Sequence, residues 1–262
     1  MSFTALHADH GRLDATVDGL GCGLPFAAIH RARPRASLTC TECRHGMHAK
    51  KSSGGLQFFA HDAHAPRCAA AGESLEHHLF KLELAHAARA AGHHAELEVR
   101  APGGRWRADV LVTAPASPRR VALEAQMSPL TLAEVRERTR RYLADNIDVI
   151  WFTTRPQRWS GQVPAVPVLP PQSLRTRWKV SGAVITRFVF EDCYCDPPWT
   201  HADHNHWSEA AEPVPLRTFI AGVLQRQLLQ RISASTFHDG TATYEGWAPS
   251  DDLRTEAETL NT

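Results

Sequence analysis

The chain reads as an α/β protein built on a mixed sheet, and three observations predict this class. A helical stretch over residues 74–91 stops at Gly92. Three strand-like segments follow it: AELEVRA, RWRADVLVTA and RRVALEAQ. A second helix and the short apolar run DVIWFTT then complete the order helix, three strands, helix, strand across residues 73–154.

The first helix is predicted from the apolar spacing of Leu75, Leu79, Leu82 and Ala85, although His86 interrupts the stripe. AELEVRA alternates as a half-buried strand does. Gly103 and Gly104 supply a tight turn into the second strand, and a connection rich in Pro, Ala and Ser leads to the third. Ser128-Pro129 stops that strand, and Thr131 is placed to cap a helix over residues 132–145. On either side the pattern weakens. Residues 1–35 suggest a small β lead-in, and residues 36–70 carry a Cys/His cluster with little apolar content. Beyond Arg155 the chain is rich in Pro and Trp, with β segments such as AVITRFVFED, a helical stretch over residues 213–232 and a polar, frayed end. Three parts are therefore expected: an N-terminal module (1–70), an α/β core (71–155) and a C-terminal α+β extension (156–262).

Composition narrows the function classes. The 262 residues suffice for one large domain or two small ones. No stretch approaches the roughly 18 apolar residues of a membrane span, so no membrane partner is expected. The N-terminus lacks the basic-then-apolar order of a secretion signal. An intracellular, cytoplasmic and reducing setting is expected, in which cysteines ligate metals or fill the core. The net charge of +1 argues against a non-specific nucleic-acid coat but allows a local basic groove. Lysine occurs only at 50, 51, 81 and 179, so arginine supplies nearly all positive charge.

Asp109 stands on the second strand, and Glu124 and Gln126 on the third. Neighbouring strands lie about 4.8 Å apart, so both carboxylates can share one hard cation such as Mg2+ or Mn2+. Residues 124 and 126 point to one face, which sets Gln126 beside the ion to orient a water. That layout suits phosphodiester hydrolysis, where a metal neutralises the phosphate and activates water. On the first helix Glu73, His77 and Lys81 are four apart and share a stripe. Glu73 could add a metal contact and His77 could assist proton transfer, while Glu98 is a weaker candidate. Arg138 and Tyr142 are likewise four apart on the second helix, placed to meet phosphate or brace the sheet, and Arg107 precedes Asp109 by two.

Cys40-x2-Cys43 forms a knuckle favoured by tetrahedral Zn2+, which His61 and Cys68 would complete as a closed structural site. His45, His48 and His64 are rivals for the histidine. Such a module could touch DNA through Arg44, Lys50 and Lys51. The later group Cys193, Cys195, His201, His204 and His206 fits no defensible zinc spacing, and Cys22 reads as a small residue beside glycines.

From Cys40 to Trp151 these pieces resemble the competence protein CoiA-like family, a branch of the PD-(D/E)XK nuclease superfamily. The likeness rests on Cys40/Cys43, FFAH at 58–61, Cys68, Glu73-Ser74 with His77 and Lys81, RADV at 107–110, EAQMS at 124–128, Arg138 with Tyr142, and the VIWF strand. It implies a restriction-endonuclease-like α-β-β-β-α-β core, a zinc-ribbon-like N-terminal module, Mg2+ bound by Asp109 and Glu124, and a DNA substrate. Gln126 stands where the superfamily usually has lysine, a feature of this branch that weakens stabilisation of developing charge. Two further readings are a DNA-gripping module without chemistry and a protein-docking scaffold using the Trp-rich C-terminal part.

Overall fold

The computed structural model describes residues 1–65, 68, 73–115, 117–173, 176–181, 186–188, 207–209, 213–238 and 241–259. The strands of the N-terminal part are β1 (Thr4–His7), β2 (Gly11–Asp14), β3 (Leu38–Thr39), β4 (Gly46–Lys51) and β5 (Gln57–His61). They form a five-stranded sheet in the order β2-β1-β3-β4-β5, antiparallel throughout. The lead-in is thus a sheet edge, and the Cys/His cluster sits on the same sheet. Alternation drives it: Met47 and Ala49 point inward on β4 while His48 and Lys50 point out, and Leu13, Leu38 and Phe59 join the inward set.

The central elements are α1 (Leu75–Ala90), β6 (His94–Arg100), β7 (Arg107–Thr113), β8 (Arg120–Gln126), α2 (Leu132–Leu143) and β9 (Ile147–Thr153). Then come β10 (Ala165–Leu169), β11 (Lys179–Val180), β12 (Thr186–Phe188), β13 (Trp207–Glu209), β14 (Val214–Pro215), α3 (Leu216–Leu224), β15 (Leu228–His238), β16 (Thr241–Pro249) and α4 (Ser250–Thr259). The main sheet runs β14-β11-β10-β9-β8-β7-β6. β6 to β8 are antiparallel, whereas β8, β9 and β10 are parallel. The parallel step from β8 to β9 needs a crossover, which α2 provides. The sheet therefore continues through residues well past Arg155.

Both helices start as the sequence dictates. The Ser74 hydroxyl accepts from the His77 amide, and Thr131 with Glu134 forms a reciprocal capping box. Gly92, at φ 84°, lets α1 end with its last carbonyls paired, the His93 amide reaching Ala88. The buried stripe of α1 keeps Ala85 and the partly buried Leu82 as expected but differs at the other two positions. Leu75 and Leu79 are 61% and 40% exposed, and the helix presents Phe80, Leu84, Ala87 and Ala88 to the sheet instead. Both stripes are apolar, but only the one built on the Phe80 ring fills the space against Phe152 and Trp178. This rotation carries Lys81 inward. The α2 helix covers the opposite face with Val135 and Tyr142 against Trp151 and Trp159.

Two C-terminal expectations need correction. The helix expected over 213–232 stops at Leu224, and β15 begins at Leu228. Arg226 adopts φ 61°, the Gln227 amide returns to the Gly222 carbonyl at 2.7 Å, and Leu228 folds over Gly222. A Cβ at residue 222 would lie 2.9 Å from Leu228, so the glycine permits the reversal. The expected frayed end is helix α4 up to Thr259, tied by the Trp207 indole donating to Glu256 at 2.6 Å. Among the described residues no helix is long and apolar enough to cross a membrane.

Candidate functional site

The acidic site forms where the sheet changes its regular pattern. Leu97 pairs with Val110 and faces the α1 side, whereas Val99 pairs with Ala108 and faces the α2 side. Residues two apart on a regular strand share a face, so both strands switch sides between these pairs. The residues at the switch are Glu98, at φ 55°, and Asp109. The ladder between β7 and β8 likewise ends at Val110 and Leu123. The next residues in register are Asp109 and Glu124, whose side chains replace main-chain partners. The Ala125 amide donates to Asp109 Oδ2 at 2.9 Å, and the Asp109 amide reaches Glu124 Oε1 at 3.4 Å. Both carboxylates are thereby lodged in one gap between two strands.

The gap opens into a cleft of about 410 Å3, lined by Glu73, His77, Asp109, Gln126, Arg107 and Arg138 among others. Asp109 lines it, while Glu124 lies beneath at 1% exposure. Arg138 donates to Glu124 Oε2 at 2.5 Å and to the Gln126 carbonyl oxygen at 3.3 Å, and lies over the Trp151 ring. The Gln126 amide nitrogen donates to the Ser128 carbonyl at 2.6 Å. The Tyr142 hydroxyl is 2.5 Å from Glu124 Oε1 and 2.8 Å from the Arg107 carbonyl, so it braces Glu124 from below. One phenolic proton cannot serve two acceptors. Both contacts are satisfied when Glu124 itself carries a proton and donates to the tyrosine. The electrostatics agree: burial and the Asp109 charge push the Glu124 carboxyl up to about 7, although Arg138 pulls it down.

Asp109 behaves oppositely. Burial alone would raise it, but His77, Lys81 and the Ala125 amide hold it down at about 2. His77 Nε2 is 3.7 Å from Asp109 Oδ2, longer than a hydrogen bond, and it has no hydrogen-bond partner among the described residues. Lys81, fully buried, pairs with Glu98 at 2.9 Å, with Glu73, and with Asp109 at 3.9 Å. Burial disfavours its charge, yet these three acids raise its pKa. Glu98 also accepts from Ser2 and Thr4, and Lys81 with these groups holds it at about 2 despite burial. Glu73, His78 and Glu98 are close enough to hold a metal, but the Lys81 ammonium already stands between the two glutamates as their counter-charge.

The second cluster gathers Cys40 and Cys43 from the turn joining β3 and β4, His61 from the end of β5, and Cys68 from beyond it. Cys40, Cys43, His61 and Cys68 bring their ligand atoms within 4.8 Å of one another. Tetrahedral Zn2+ bonds of about 2.3 Å to sulfur and 2.0 Å to nitrogen set sulfur–sulfur spacings near ~3.8 Å and sulfur–nitrogen spacings near ~3.5 Å. The pairs Cys40–Cys68 and Cys43–His61 stand at 3.8 and 3.4 Å. The knuckle is closed by the Cys40 amide on the His45 carbonyl, with Arg44 at φ 61°, and the Glu42 amide donates to the Cys40 sulfur at 3.3 Å. The rival histidines are otherwise placed: His45 meets the Ala63 carbonyl, His48 meets Asp62, and His64 lies outside the group. The motif residues Cys193, Cys195, His201, His204 and His206 lie outside the described residues. Cys22 is exposed and free.

Sequence reasoning missed the wiring between the two clusters. Glu42, inside the knuckle, accepts two N–H groups of Arg100 on its carboxylate, lies 3.6 Å from Arg107, and leaves its own side chain only 7% exposed. Arg107 in turn donates to Glu73 at 2.6 Å. No local pattern signals such pairs, whose members are 58 and 34 residues apart.

The chain thus holds a mixed α/β domain in which acids from two adjacent strands meet at a cleft. Residues 73–162 match the family described as "Competence protein CoiA, nuclease-like domain", so this segment is similar to that domain. No curated protein and no solved structure matches the chain.

Proposed function

We propose that the protein is a metal-dependent nuclease that hydrolyses DNA phosphodiester bonds in DNA processing, competence, recombination or defence. One observation carries the reading: Asp109 and Glu124 share one strand gap, at a cleft that also holds His77, Gln126 and several arginines. The element order from α1 to β9 supports a restriction-endonuclease-like core flanked by a zinc-binding N-terminal module and a C-terminal extension.

Asp109 and Glu124 would hold Mg2+ or Mn2+, with Glu73 as an added carboxylate. When bound, such an ion supplies Lewis-acid charge neutralisation and a more acidic water. The residues do the rest. Arg138 pairs with Glu124, and would be freed to meet a phosphate only were that carboxylate to hold the ion. His77, with a free ring nitrogen beside Asp109, takes or gives a proton. Lys81, buried among three acids, holds them in place. Cys40, Cys43, His61 and Cys68 fit structural Zn2+ by donor set and spacing.

A second reading, a DNA-gripping module with turnover lost, is favoured by Gln126, whose amide is engaged by Ser128 and Arg138. The test is cleavage of labelled single-stranded, duplex and branched DNA with Mg2+ or Mn2+. Cleavage by the wild type that disappears in Asp109→Ala and Glu124→Ala supports the nuclease. Equal inertness of all three with DNA still bound supports the gripping module.

A further inference from the structure

The cleft arginines are already committed. Arg100 pairs with Glu42, Arg105 with Asp145, Arg107 with Glu73, Arg138 with Glu124 and Arg141 with Glu137. Binding a phosphate backbone releases counterions in proportion to the cations brought to it, and a cation already neutralised by a carboxylate contributes little. The affinity for a polyanion must therefore come from elsewhere on the molecule.

Several cations without an ion pair among the described residues lie in the N-terminal part. A groove of about 520 Å3 runs between residues 29–38 and strand β4, lined by Arg31, Arg33, Arg35 and His48, and no carboxylate lines it. Arg31 and Arg33 are exposed, and among the described residues neither has an ion-pair partner. Arg35 is held by Asp62, which also takes His48, so that single acid is spent on the groove floor. Lys50 and Lys51 follow His48 on β4, both exposed and unpaired among the described residues. The groove's far wall and the Cys/His knuckle share the β3–β4 hairpin, because residues 40–45 join β3 to β4 and His48 stands on β4. The knuckle in turn reaches the cleft rim through Glu42.

We propose that this groove, with Arg31 and Arg33 as its main contacts and Lys50 and Lys51 beyond them, binds the phosphate backbone of nucleic acid and supplies most of the protein's affinity. The inference rests on the nucleic-acid reading of the cleft but not on turnover. Arginine forks suit phosphate oxygens and carry no base preference, so binding is expected to be sequence-independent.

The experiment uses full-length zinc-loaded protein carrying Asp109→Ala, and fluorescence anisotropy with a labelled 20-nucleotide strand and a 20-base-pair duplex over a salt series. R31A/R33A is expected to weaken binding about tenfold at moderate salt and to lower the duplex salt slope by roughly 1.8, two contacts at about 0.9 each. R140A, on the exposed face of α2, is expected to leave both unchanged. R31K/R33K, which keeps the charge, is expected to bind within about threefold of the parent, which separates backbone electrostatics from damage to the fold. Unchanged affinity and slope in R31A/R33A overturns the proposal. So does a collapse of binding in R31K/R33K with zinc content intact, or equal competition by polyglutamate of matched charge, which would mark a site for an acidic protein. Cleavage by the wild type is read separately. DNA held through these arginines but left uncut sinks the nuclease reading alone, whereas DNA cut by a protein indifferent to R31A/R33A sinks this one alone.

Discussion

The two ligand clusters of this protein are built in opposite ways. The Cys/His group takes two of its four donors from one knuckle and a third from the strand paired beside it. The charged group draws Lys81 from α1, Glu73 from just ahead of the Ser74 cap rather than from the helix itself, and Glu98, Asp109 and Glu124 from three strands, and it needs those strands to part. The first has the donor set and spacing of a local trap for a soft-ligand metal, which would stabilise its own scaffold when bound. The second stores buried charge that the rest of the fold must hold. The difference teaches that one site should fail by unfolding and the other by loss of chemistry in an intact fold.

The sharpest way to break that contrast is at the knuckle. Cys43→Ser should abolish bound zinc and melt the N-terminal sheet, since structural zinc sites contribute on the order of 10 kcal/mol. Metal analysis and circular dichroism check it, and a fully folded zinc-free variant would refute the structural role. At the other site, Asp109→Ala should lower cleavage by at least about 10³-fold, roughly 4 kcal/mol of transition-state stabilisation, with the melting temperature nearly unchanged. Lys81→Met sits between the two modes. It leaves Glu98 and Glu73 buried without their ammonium, and a loss of about 3–5 kcal/mol in denaturant titration is expected.

A subtler effect concerns pH. Glu124 titrates near 7 in the fold, above its ordinary range. The folded state therefore holds a proton there that the unfolded chain has released, and this contribution to stability is full at low pH and is lost as pH rises through about 7. A divalent cation competes with that proton. Stabilisation by Mg2+ should be larger at pH 8 than at pH 6 in a thermal-shift assay, and the difference should vanish in Glu124→Gln. An equal shift at both pH values would show that the ion binds elsewhere. The smallest change is Tyr142→Phe, which removes the hydroxyl's contacts with Glu124 and the Arg107 carbonyl and should cost about 1–2 kcal/mol of stability.

Much of the local structure was legible from sequence. Ser74 and Thr131 announce their helices, Gly92 ends one, and Cys40-x2-Cys43 marks a knuckle because each signal acts over a few residues. The failures are instructive. The stripe of Leu75 and Leu79 looked like the buried face of α1, but Phe80 and Leu84 won because the sheet offered a space shaped for a large ring. The helix expected over residues 213–232 ended early because Gly222 admits Leu228, a contact with no periodic signature.

The sequence by itself singled out the candidate residues: the acids at 109 and 124, the amide at 126, His77 and Lys81 on the first helix with Glu73 just ahead of its Ser74 cap, and four soft ligands. Only the tertiary structure decided their states. It put Asp109 under the influence of His77 and Lys81, sealed Glu124 beneath Arg138 and Tyr142, and let Glu42 join the two clusters. The reason is that burial and the nearest opposite charge set the behaviour of an ionisable group, and both come from residues distant in the chain.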